Sequence, residues 1–262
     1  MGTDCGDGVR GLTPATGKVP VPGAGSAPRD AGMDFGIRGF LETSFLDWPG
    51  RLAAVVFIGG CNFRCPFCHN KELVLEPGRL PAIPLGGVLK RLAGLDGWVR
   101  SVVVSGGEPT LDPRLPGLLG RLRSAGFGVK LDTNGSRPDV LARLIARGLV
   151  QAVDMDVKAP LDAGRYRALA GVPVRVAEIR ASVDLLALSG LPHRFRTTWV
   201  PGLHRREDLT RMREEIPAES PMIIQAFSPR RVLDPALATL PPPPPAELAE
   251  LQLACTRVAV TA

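Results

Sequence analysis

From Asp34 onward the chain alternates short, nearly all-apolar runs with longer stretches whose apolar residues recur three or four positions apart. The first pattern predicts strands buried on both faces, and the second predicts amphipathic helices packed against them. Strands are predicted at Ala53–Ile58, Ser101–Val104, Gly128–Leu131, Ala152–Val157, Arg194–Val200 and Met222–Ala226. Helices are predicted at Pro84–Leu92, Arg114–Ser124, Asp139–Arg147, Val174–Ser189 and Arg206–Glu215. In the second of these, Leu115, Leu118, Leu119 and Leu122 share one face, and Thr110 and Asp112 are placed to cap it. Repeated strand–helix–strand units imply right-handed parallel crossovers. Six such units are too few to close an eightfold barrel, so the expected fold is α/β, an open, partial (β/α)6 TIM-like barrel.

Two flanks depart from this rhythm. Residues 1–33 are rich in Gly, Pro and Ala and hold no aromatic residue, so a disordered leader is expected, with Met33 as a candidate start. Pro241–Pro245 reads as a stiff polyproline turn leading into a helix from Ala246 to Thr256 packed on the barrel. The expected organisation is therefore a leader (1–33), the barrel (34–240) and a turn with a terminal helix (241–262).

Composition narrows the class. The 262 residues are 45% hydrophobic, enough for a sizeable core, and no apolar run is long enough to span a bilayer or serve as a secretory signal. A cytoplasmic protein is expected. The net charge of +6 is carried mostly by arginine, with lysine only at 18, 71, 90, 130 and 158. No basic run has interleaved aromatics, so a surface meeting an acidic partner or anionic ligand is favoured over nucleic acid. Of five cysteines, three crowd into one loop, which argues for metal chemistry under reducing conditions and against a disulfide framework. Cys5 and Cys255 stand far apart, Cys255 as an expected buried helix residue.

That loop is Cys61-Asn-Phe-Arg-Cys65-Pro-Phe-Cys68-His69-Asn70, set directly after the first apolar strand and Gly59-Gly60. Thiolates spaced C-x3-C-x2-C can hold three corners of a cuboidal iron–sulfur cluster and leave one iron open. A tetrahedral zinc site would more often show paired C-x2-C units, although His69 is in principle available as a fourth ligand.

In parallel α/β folds, sites collect at strand carboxyl ends. Here those ends carry Ser105-Gly106-Gly107-Glu108-Pro109, then Asp132-Thr133-Asn134-Gly135, then Asp154-Met155-Asp156-Val157-Lys158. Glycines let main chain approach a ligand, and Asn134-Gly135 is also an ordinary turn pair. Alternation puts Asp154, Asp156 and Lys158 on one face, and buried charges of this kind serve stability poorly. The fifth strand adds Arg194, Arg196 and Thr198 on one face, suited to carboxylate or ribose hydroxyls, followed by His204. Gln225 lies on the sixth strand.

The cysteine spacing with Phe67 before the last Cys resembles the cluster loop of radical S-adenosylmethionine (SAM) enzymes. Gly39-Phe-Leu-Glu-Thr-Ser-Phe-Leu-Asp-Trp-Pro-Gly50 together with Ala54–Asn70 resembles the activating-protein branch, nearest the long form of anaerobic ribonucleoside-triphosphate reductase activating proteins. The resemblance runs from about Gly36 to about Pro229. It implies one 4Fe–4S cluster on Cys61, Cys65 and Cys68, with Gly106-Gly107-Glu108 toward the SAM amino group. It implies Asp156 and Lys158 near the SAM carboxylate with Asp132 and Thr133 close by, His204 near the adenosine, and Gln225 toward adenine. The implied reaction is reductive cleavage of SAM, the resulting radical removing hydrogen from a glycine Cα of a glycyl-radical enzyme. A flavodoxin or ferredoxin-type protein would be the electron donor. The absence of cysteine between His69 and Ser105 argues against an inserted ferredoxin-like segment. Rival readings are a radical SAM enzyme acting on a small molecule, as a deazaguanine synthase does, a zinc-binding module without catalysis, and a simple ferredoxin.

Overall fold

The computed structural model describes residues 34–95 and 97–256. The predicted leader, Met33 as a start and Cys5 lie outside the described residues.

Seven strands form one sheet in chain order. They are β1 (Ile37–Ser44), β2 (Ala53–Ile58), β3 (Ser101–Gly106), β4 (Gly128–Thr133), β5 (Ala152–Asp156), β6 (His193–Trp199) and β7 (Met222–Ala226). The six predicted strands are β2–β7 and run parallel. β1 is additional and antiparallel to β2. Its sequence, Ile-Arg-Gly-Phe-Leu-Glu-Thr-Ser, has no clean period, because it is a half-buried edge strand with irregular register against β2. Among the described residues β1 and β7 do not pair, so the barrel stays open between them.

Helices α1 (Lys71–Leu75), α2 (Leu85–Ala93), α3 (Leu115–Ser124), α4 (Pro138–Ala146), α5 (Ala163–Ala170), α6 (Val176–Leu188), α7 (Arg206–Glu215) and α8 (Pro245–Thr256) complete the fold. α1 and α5 escape the periodicity, being short. The main core lies between sheet and helices, built from Val102, Val104, Val129, Leu131, Val153 and Met155 against leucines of α2–α4. Cys255 is buried on α8. No helix among the described residues is long and apolar enough to cross a membrane.

The inner face of the sheet is different. Near the amino ends of the strands, Trp48, Ala53, Val55, Val103 and Ala152 form a small apolar cluster. Trp48 folds in from the β1–β2 turn, and the Arg51 guanidinium stacks 4.7 Å from its ring. Further along the same face the residues become charged. An apolar floor under a polar strip points the chemistry toward the carboxyl ends of the strands.

Candidate active site at the strand carboxyl ends

The cysteine loop is anchored to the end of β3 by main-chain bonds. Gly107 N donates to Ile58 O at 2.9 Å, and Glu108 N donates to Gly60 O at 2.7 Å. This contact is too tight for side chains: a Cβ on Gly106 would lie 2.3 Å from Ile58 main-chain atoms, and one on Gly107 would lie 1.9 Å from Gly60 O. The glycine pair is therefore required by close approach to the cysteine loop, whatever it also offers a ligand. Asn70 Nδ2 donates to Gly106 O at 2.8 Å, closing the junction from the far end of the loop.

Within the loop, the Arg64 guanidinium donates to the carbonyls of Cys61 and Phe63 at 2.7 and 2.8 Å. Arg64 N donates to Ala170 O at 2.8 Å, tying the loop to α5. Asn62 reaches across to the β4 end. There Asn62 Oδ1 accepts from Asn134 Nδ2 at 2.9 Å, and its Nδ2 donates to Ser136 Oγ at 2.9 Å. Asn134, a predicted site residue, therefore positions the cysteine loop. Asn62, Arg64, Asn70 and Ser136 were missed, since single polar residues in loops carry no spacing signal. His69 turns its Nε2 to Ser228 O, 2.8 Å away.

The three thiols sit in a confined setting. Burial pushes the Cys61 thiol up to about 12 and that of Cys65 to about 11, the nearby Lys158 partly offsetting the effect at Cys65. Burial raises Cys68 as well. Thiolates here need compensating positive charge, which bound iron would supply. Among the described residues no three His, Cys, Asp or Glu side chains converge on a single ion-sized point. Three thiols on one eight-residue loop are the donor type that an iron–sulfur cluster takes.

Glu108 is 1% exposed and turned inward. Its carboxylate accepts from Thr110 N, Thr110 Oγ1, Thr133 Oγ1 and Asn134 N. Burial raises its pKa, and these donors oppose the rise. The side chain knits the β3 end to the β4 end, while in the Gly-Gly-Glu turn Gly107 N, Glu108 N and Gly106 O are bonded to Ile58, Gly60 and Asn70. Thr110 serves Glu108 and does not cap α3, contrary to the sequence reading. At α3 the entry is made by Asp112 Oδ1, which accepts from Arg114 N at 2.8 Å.

Beneath the cysteine loop, β4, β5 and β6 carry a ladder of charge. Lys130, 1% exposed, bridges Asp132 and Asp154 at 2.5 Å each. Arg194 Nε donates to Asp154 Oδ1 at 3.0 Å. Arg196 Nε donates to Asp156 Oδ1 at 3.0 Å, and its Nη1 lies 3.3 Å from Asp132 Oδ2. Lys158 Nζ donates to Asp156 Oδ2 at 3.0 Å and stands 6.0 Å from the Phe67 ring centroid. The predicted Asp132, Asp156, Lys158 and Arg196 are thus together, on the side of the cysteine loop marked by Phe67. Lys130 was missed, although it alternates in phase with Asp132 in Gly-Val-Lys-Leu-Asp-Thr. Lys130, Lys158, Arg194 and Arg196 face three carboxylates, so the ladder has one positive charge in excess.

Burial alone would raise the Asp156 carboxyl, but Arg196 and Lys158 outweigh it and hold it at about 2. A depressed folded pKa gives stability that is full above the unfolded value near 3.9 and is lost as pH falls through the folded one. Between about pH 4 and pH 2, wild type should therefore lose stability more steeply than Asp156→Asn. Urea midpoints measured across that range check this; parallel slopes would remove Asp156 from the ion-pair ladder.

His204 has both nitrogens engaged by main chain. Its Nδ1 accepts from Val200 N at 3.2 Å, which leaves Nε2 to donate to Lys158 O at 3.0 Å. Burial lowers its pKa, and the neutral ring packs between Phe67 and Trp199, with centroids 6.0 and 5.9 Å away. It clamps the loop after β6 onto the end of β5. Thr198 pairs in register with Gln225 toward the open side.

The sequence pattern of the radical SAM superfamily matches residues 55–214. The chain belongs to the radical SAM superfamily. As a member it uses a 4Fe–4S cluster and SAM. A Methanocaldococcus jannaschii protein with the provisional name of glycyl-radical enzyme activating enzyme is 32% identical over 82% of this chain and 89% of its own. A 7-carboxy-7-deazaguanine synthase of Methanopyrus kandleri is 34% identical over 60% of this chain and 70% of its own. The solved structure of tagged anSMEcpe with bound AdoMet aligns over 64% of this chain and 47% of that one, at 16% identity and a TM-score of 0.48. Lys158 and Arg196 are the ladder cations that meet Asp156, the carboxylate at the end of β5. Lys158→Ala should keep the cluster and weaken SAM binding by about 1.5–3 kcal/mol, as for loss of one charged hydrogen bond. Equilibrium dialysis with labelled SAM reads this directly, and an unchanged Kd would remove Lys158 from the pocket.

Proposed function

We propose that this radical SAM enzyme is a glycyl-radical-enzyme activating enzyme. The observation that carries the reading is the sheet left unclosed between β1 and β7, which would give a protein segment a way in. The provisional name of the archaeal relative, which aligns over most of both chains, points the same way. Cys61, Cys65 and Cys68 would each hold one iron of the cluster. Gly106 and Gly107 main chain, with Asp132, Thr133, Asp156, Lys158 and Arg196, would bind the polar end of SAM, while Phe67 and His204 would pack beside it. When bound, SAM and one electron from the cluster supply a 5′-deoxyadenosyl radical. The chain's own part is geometric: Glu108, Asn62 and Asn134 hold the cysteine loop against the ends of β3 and β4, and the apolar floor around Trp48 keeps water from entering beneath.

In the finer form of the reading, the partner is an anaerobic ribonucleoside-triphosphate reductase, and the electron donor a flavodoxin or ferredoxin-type protein in the cytoplasm. The test is anaerobic reconstitution with iron and sulfide, then EPR of the reduced protein with and without SAM. A 4Fe–4S signal altered by SAM, with 5′-deoxyadenosine formed and a glycyl-radical signal on the added reductase, supports the reading. SAM cleavage without that signal on the reductase or on any other glycyl-radical enzyme would overturn it. The relatives that are deazaguanine synthases, and the surplus positive charge of the ladder, favour a second reading with a small carboxylate-bearing substrate. Substrate-dependent 5′-deoxyadenosine formation with a small heterocyclic carboxylic acid would select it.

A further inference from the structure

The cysteine loop is supported in two halves. Its first half is held from the sheet side, by Asn62 against the β4 end and by the bond from Arg64 N to α5. Its second half, residues 66–69, is held by a segment far along the chain. Residues 228–234 leave the end of β7 and run back along the loop in the opposite sense. His69 Nε2 donates to Ser228 O at 2.8 Å, and Asp234 N donates to Pro66 O at 2.8 Å. These two bonds bracket Phe67 and Cys68, so the segment is a strap across the Cys68 half of the loop.

The strap is itself anchored. Phe227 and Val232 are buried, and Phe227 N donates to Trp199 O at 3.2 Å. Asp234 Oδ1 accepts from Ala236 N at 2.9 Å, at the start of the short 3-10 helix Pro235–Thr239. Between these anchors Arg231 has a φ of 58°, alone among the described non-glycine residues in the left-handed region. A long side chain holds that conformation only where its surroundings impose it. The Arg231 guanidinium lies 3.3 Å from Glu72 Oε1, but both side chains are exposed, and an exposed ion pair holds little. The strap is therefore latched to the loop by the two hydrogen bonds and not by the charge pair. Of these two, only the His69 bond uses a side chain. Its Nε2 carries the proton that meets the carbonyl, so that nitrogen is not free to bind a metal.

We infer that His69 is a positioning residue: it latches the strap 228–234 onto the loop and slows opening of the Cys68 half, the step through which iron would be lost. The inference rests on the assignment of Cys61, Cys65 and Cys68 as cluster ligands.

Three variants test it. His69→Ala removes the latch, His69→Gln keeps an amide N–H able to donate to Ser228 O, and Glu72→Gln removes only the ion pair. The first readout needs no iron: hydrogen–deuterium exchange of the full chain before reconstitution. In His69→Ala, peptides covering residues 65–70 and 228–234 should exchange faster together by about two- to tenfold, the range for one lost hydrogen bond. Peptides covering β3 and β4 should keep wild-type rates. His69→Gln should return toward wild type, and Glu72→Gln should match it. Unchanged exchange at 228–234 in His69→Ala would overturn the inference, as would faster exchange throughout the sheet, which marks a general loss of stability.

The second readout is iron release from the anaerobically reconstituted holoenzyme to a ferrous chelator. Release should be about two- to tenfold faster in His69→Ala from equal starting iron, and equal rates would overturn the inference. The EPR spectrum of the reduced cluster should be the same in both; a changed spectrum would make His69 an iron ligand and sink the latch. Should His69→Ala take up no iron, the exchange pattern decides. If wild type itself takes up none, the ligand assignment has failed and the retention role falls with it, which the exchange readout keeps apart from failure of the latch.

Discussion

Cys65→Ala is expected to abolish the cluster and, with it, all SAM cleavage. Cys65 is the most buried of the three thiols at 7% exposure, and Cys68 N donates back to its carbonyl at 3.0 Å, so it stands at the centre of the loop. Removing one of three protein thiolates leaves two irons without protein sulfur, a state that does not hold a 4Fe–4S cluster against loss of iron. The apoprotein should still fold, because the loop is also held by Arg64, Asn62, Asn70 and the Gly107–Ile58 bond, none of which needs the sulfur. Iron and acid-labile sulfide analysis after anaerobic reconstitution is the check, alongside circular dichroism. A folded variant that retains a full cluster would overturn the ligand assignment.

Gly107→Ala should be the most damaging substitution that removes no chemical group. The new methyl would sit 1.9 Å from Gly60 O and 3.2 Å from Cys61 Cβ, so the β3 end must retreat from the cysteine loop. That movement breaks the Glu108 N–Gly60 O bond and loosens the carboxylate that links Thr110, Thr133 and Asn134. A steric insult of this kind in a buried junction costs about 2–4 kcal/mol. For a domain of this size it lowers Tm by roughly 5–15 °C. Cluster retention should fall in parallel. A variant with wild-type Tm and full cluster content would show that the junction can shift freely, and that the two glycines serve only a ligand. Comparing Glu108→Gln sharpens the point, since the amide cannot accept from all four donors and should destabilise without any steric clash.

Much of the architecture could be read locally. Apolar runs and their spacing report which residues are buried and on which face, so the six parallel strands emerged, as did most of the helices behind them. The cysteine loop was legible for a related reason: its three cysteines lie within eight residues, so their grouping shows in the sequence. That Asp132, Asp156, Lys158 and Arg196 lie together could be expected because alternation puts them on one face at neighbouring strand ends.

Tertiary structure decided what each of these residues does. β1 joins the sheet through pairing with β2, not through any periodicity of its own. Glu108 turns inward because its acceptors are satisfied by Thr133 and Asn134, which strand register brings to it from 25 and 26 positions away. Lys130 links two carboxylates on neighbouring strands, and His204 spends both nitrogens on main chain. A linear pattern records burial and side, whereas hydrogen-bond partners depend on the alignment of strands far apart in sequence. The sequence by itself therefore determined which residues are buried, which strands they form, and that three cysteines share one loop at a strand carboxyl end. Only the packed sheet determined which of its polar groups bind one another and how they join the strand ends.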